Sequence, residues 1–82
     1  MRESKITKIT AIEYRNREDR VLSGEYVVHY NSGIHRKYPF QQLTSEMHKF
    51  LVKNYNLRVR TGKTITDGRG NYTTTEVYNE ED

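Results

Sequence analysis

The stretch EYVVHYNSGIHRKYPF, Glu25 to Phe40, constrains the fold more tightly than any other part of the chain. It reads as two β-prone runs around a glycine-containing turn. A three-residue loop, Asn31-Ser32-Gly33 with Gly33 in the left-handed position, sets Tyr30 opposite Ile34, Val28 opposite Arg36 and Tyr26 opposite Tyr38. Tyr26, Val28, Tyr30, Ile34, Tyr38 and Phe40 then share one face. A two-residue loop would slip the pairing by one residue and divide that set between both faces. The chain has little apolar surface to spare, because hydrophobic residues are 33% of its 82 and the mean hydropathy is -1.02. The three-residue loop is therefore the expected one.

A chain of this length makes one domain and hides about 60–65% of its accessible surface on folding. The core must be thin, and a deep enclosed active site is not expected. Lys5 to Tyr14 (KITKITAIEY) reads as the first strand; Ile6, Ile9 and Ile12 fall three apart, which a bulge near Ile9 would reconcile with alternation. Arg15 to Arg20 (RNREDR) carries no apolar residue and reads as an exposed loop.

From Gln41 to Asn56 the period changes. Leu43, Met47, Phe50, Leu51 and Tyr55 lie on one face of a helix that would cover the sheet. Thr44 suits the N-cap with Glu46 in the first turn, and Asn54 or Asn56 suits a left-handed C-terminal residue. Leu57 to Thr61 alternates Leu57 and Val59 against Arg58 and Arg60, as a half-buried strand with a basic outer face would. A turn at Asp67 to Gly70 then leads into a β-prone run, Asn71 to Tyr78. The expectation is a single α+β domain over residues 1–78, a small antiparallel sheet packed on one helix in the order β-β-β-α-β-β. Residues 62–78 are expected to form a projecting or frayed hairpin, and 79–82 a disordered acidic tail.

Cysteine is absent, which excludes disulfides, thiolate metal sites and a cysteine nucleophile. The first residues lack the apolar core of a signal peptide and nowhere do 18 apolar residues run together, so a cytoplasmic, non-membrane protein is expected. The net charge of +3 hides an asymmetry: residues 1–75 carry all 14 basic and 7 of the 11 acidic side chains, for +7. Such a body suits a polyanionic partner, although it also serves solubility alone.

Gly62-Lys63-Thr64 invites a phosphate-loop reading, but Leu57 stands where that motif needs a glycine, and a turn follows where it needs a helix. In the chosen register His29 and His35 oppose each other across the hairpin, yet a third metal ligand is missing. No spacing among Ser4, Ser23, Ser32, Ser45 and the carboxylates singles out a nucleophile with its base, so neither catalysis nor a cofactor or small-molecule substrate is expected. Basic residues interleaved with tyrosines remain. Arg36, Arg58, Arg60, Lys63 and Arg69 are the candidate phosphate-binding residues, with Tyr72 to stack on a base, in a non-enzymatic module for nucleic acid or a nucleoprotein. The rival is a protein-binding regulator or inhibitor that docks through a sheet edge or a tyrosine-rich patch and blocks a partner's site.

Overall fold

The computed structural model describes residues 4–81. Among these described residues the chain forms β1 (Ile6–Arg15), β2 (Val21–Tyr30), β3 (His35–Pro39), α1 (Ser45–Lys53), a short 3-10 turn (Tyr55–Leu57), β4 (Val59–Ile65) and β5 (Tyr72–Asn79). The strands make one antiparallel sheet in the order β3-β2-β1-β5-β4, with α1 packed on one face, an α+β architecture. Among the described residues no helix is long and apolar enough to cross a membrane.

The β2–β3 hairpin has the register its alternation requires. Val28 pairs with Arg36 and Tyr26 with Tyr38, Gly33 takes φ +88°, and the Tyr30 amide donates to Ile34 O at 2.9 Å. The bulge of β1 lies at Thr7 rather than near Ile9, and it brings Ile6 and Ile9 to the same face. Thr44 caps α1, its hydroxyl accepting from the Met47 amide at 3.2 Å. At the other end Asn54 sits at φ -106°, not in the left-handed region. It closes the helix by donating from both its amide and its side chain to Phe50 O.

Ile6, Ile9, Val28 and Met47 form the core, and Tyr26, Tyr30, Tyr38, Phe50, Leu51 and Tyr78 pack around it. Leu43 and Tyr55, expected on the buried helix face, are 41% and 53% exposed, because α1 spans nine residues and its inward stripe is Met47, Phe50 and Leu51, continued by the buried cap Asn54. Phe40 folds back over Gly24 and packs at a tilt of 40° against Tyr26, ring centroids 4.6 Å apart.

Two expectations about the C-terminal part are corrected. The 62–78 hairpin does not project or fray: β5 is bonded to β1 along its length and to β4 on its other side, with Tyr72 and Thr74 buried. Nor is the acidic tail free up to Glu80, whose amide donates to Thr7 O at 2.8 Å while its carboxylate pairs with Lys5 at 2.6 Å. Asp82 lies outside the described residues.

The body measures 50 × 22 × 20 Å. Ten-residue strands rise about 33 Å and five strands side by side span about 20 Å, so the long axis follows the strands. The helix covers one end of that length. Toward the other end the same sheet face carries Glu13, Arg15, Thr74 and Tyr72 in place of the apolar core.

Candidate functional site

Register decides which face each basic residue occupies. Ala11 pairs with Tyr26 and Glu76, and Glu76 pairs with Arg60, so Arg60 shares the helix-side face with the core tyrosines. Val59 pairs with Val77 on the uncovered face. This inverts the expectation for the strand after the helix, and all seven residues of β4 are exposed rather than half-buried. A bulge at Thr61, whose hydroxyl donates to Thr75 O at 3.0 Å, then shifts the alternation. Lys63 is thereby opposite Thr74, on the helix-side face with Arg60.

Arg60 and Lys63 thus line one side of an edge strand, Arg58, just before it, reaches the same Glu76, and β4 contains no acidic residue. Arg58 lies over the Tyr55 ring at 4.4 Å and Lys63 over the Tyr72 ring at 4.2 Å, which restrains both cations through the rings' negative faces. The Glu76 carboxylate stands 4.0 Å from Arg58 Nη1 and 3.9 Å from Arg60 Nη2, and accepts from Tyr78 OH at 3.1 Å. The Asp19 carboxylate also acts on Arg60 and Lys63, so two carboxylates stand against three cations. The row keeps an excess of positive charge.

The other expected site residues are elsewhere. Arg36 is on β3, at the opposite edge of the sheet, lining a shallow cavity of about 280 Å³ with Ser4, Tyr30, Ile34, Tyr38 and Glu46. Arg69 is in the β4–β5 turn, where its amide donates to Asp67 Oδ1 at 2.8 Å. Tyr72 is 7% exposed, one ring face lies under Lys63, and its hydroxyl donates to Asp19 Oδ1. It offers no free surface for a base.

Sequence reading missed a polar network behind this edge. Arg15 belongs to β1, not to the loop, and its guanidinium donates to both oxygens of Glu13 at 3.1 and 3.2 Å and to the Asp19 carbonyl at 2.7 Å. Thr74 donates to Glu13 at 3.3 Å. Asp19, at φ +68°, holds the β1–β2 loop down through Tyr72 and Arg15, and those donors keep its carboxyl below the usual carboxylate range. The available signal was the Glu13/Arg15 spacing of two, which puts opposite charges on one strand face.

His29 and His35 do oppose each other on the uncovered face, with ring centroids 5.8 Å apart. Among the described residues no three His, Cys, Asp or Glu side chains converge on a metal position. The chain matches no protein-family model, no curated protein and no solved structure.

Proposed function

We propose that the protein is a non-enzymatic protein-binding module that receives its partner along the open β4 edge. One observation carries the reading: among the described residues β4 is bonded on one side only, and all its residues are exposed. Such an edge is a template for another strand unless it is blocked. The Thr66 amide donates to Asn71 O, so by the alternation of an antiparallel ladder the amides of Lys63 and Ile65 point away from β5. Among the described residues no strand lies on that side, so those groups can bond a partner's backbone.

A second reading, a polyanion such as nucleic acid along Arg58, Arg60 and Lys63, draws on the shared orientation of the three cations. It is the weaker one, because Tyr72 is covered, Arg36 lies across the sheet, and Glu76 stands between Arg58 and Arg60. A pulldown from nuclease-treated lysate, run beside an Ile65→Pro variant that removes an outward amide, tests the two. The protein reading expects a stoichiometric protein that the variant loses. Undiminished capture by the variant overturns it. Retention on single-stranded DNA that falls steeply with salt and with loss of Arg58 and Arg60 would favour nucleic acid.

A further inference from the structure

We infer that the strand added to β4 is acidic on one face and apolar on the other, with carboxylates two residues apart beside Arg60 and Lys63. The inference rests on β4 being the partner edge. Its spacing comes from the bulge. Arg60 and Lys63 are three apart in sequence but sit opposite Glu76 and Thr74, which are two apart on β5. A regular partner strand repeats every two residues on each face, so carboxylates at positions i and i+2 fall in register with both cations.

The other face asks for different side chains. Val59 ends a row that runs Val27, Thr10, Val77, Val59 across the uncovered face. Val59 is 55% exposed at the end of that row. A β-branched or other apolar side chain beside it lengthens the row and removes its exposed end from water. Gly62 and Thr64 follow on this face and leave room for bulkier neighbours.

A second copy of the chain does not meet these requirements. Pairing β4 with β4 sets Arg60 and Lys63 against their own kind, and the other edge, β3, presents His35, Arg36 and Lys37 before ending at Pro39. Both edges repel each other's copies and attract a strand of opposite sign. The acidic Glu80 is already engaged with Lys5 and Thr7 beside β1.

The test uses labelled synthetic peptides about nine residues long, enough to cover a strand of this length. One alternates glutamate with valine and threonine; a second holds the same residues with the glutamates in one block; a third replaces glutamate by threonine. An oligothymidylate is the fourth probe. Fluorescence polarisation is expected to show the alternating acidic peptide binding at least about tenfold more tightly than the blocked or uncharged one. Hydrogen exchange is expected to slow at Lys63 and Ile65 on binding. The Arg60→Gln/Lys63→Gln variant, checked for folding by its melt, should lose the preference for the acidic peptide. Equal binding of the blocked peptide reduces the effect to unpatterned charge and overturns the inference. An uncharged peptide that binds as well and protects β4 overturns it while leaving the edge reading intact. If no peptide slows exchange in β4, the edge reading itself fails. Tighter binding of the oligothymidylate, with β4 unprotected, returns the site to nucleic acid.

Discussion

Gly24 stands where a side chain has no room. A Cβ built there would fall against Phe40 Cε2, within the ring that also packs on Tyr26. Gly24→Ala must displace that ring, an overpacking change expected to cost about 1–3 kcal/mol. Thermal melting should show it as a loss of roughly 4–8 °C in Tm per kcal/mol. Combining it with Phe40→Ala should cost less than the sum, since the clash is gone. Tyr72 acts on the loop through Asp19. Hydrogen bonding from Tyr72 leads the causes that hold the Asp19 carboxyl down, followed by the pull of Arg15 against some loss of solvent. A depressed carboxyl stabilises the fold above its unfolded value near 3.8, and that stabilisation is lost as pH falls through the folded value. Tyr72→Phe should therefore move the Asp19 carboxyl upward in an NMR titration, and an unchanged value would detach Tyr72 from the loop.

The elements differ in how far their own residues specify them. The helix carries its start in Thr44, and Thr44→Ala should cost about 1 kcal/mol by leaving the Met47 amide without its acceptor. The β2–β3 hairpin is as local: Gly33 and the Tyr-Val alternation fix its register from sixteen consecutive residues, which is why sequence alone reaches it. Its His29 is held low chiefly by burial, then by Lys8 and His35. The folded value thus lies below the unfolded value near 6.5, the unfolded chain binds more protons in that window, and stability should drop as pH falls through it and then level off. Denaturant midpoints across that range check this, and His29→Gln should flatten the curve. Strand β4 was legible as a strand and its two cations, with Arg58 just before them, as a group, but not their face, because the bulge at Thr61 resets the alternation. The polar network was less legible still. Tyr72 and Asp19 are 53 positions apart and Thr74 and Glu13 are 61, so no local pattern announces their meeting.

At the scale of the molecule, the apolar core lies under the helix and the charged network lies beyond it. Hydrogen exchange should follow that division: amides of β1 and β2 around Ile9 and Val28 open only with global unfolding, whereas β4 and the loop at 16–20 exchange by smaller local openings. Uniform protection along the strands would contradict it. The radius of gyration is 13.9 Å, against about 12 Å for a compact chain of this length. A body 50 Å long and about 20 Å across spins about its length more readily than it turns end over end. Strand N–H bonds lie across that axis, so their nuclear relaxation reports the faster rotation. Its friction in water will also exceed that of a sphere of equal mass, so a single chain should leave a sizing column ahead of its weight.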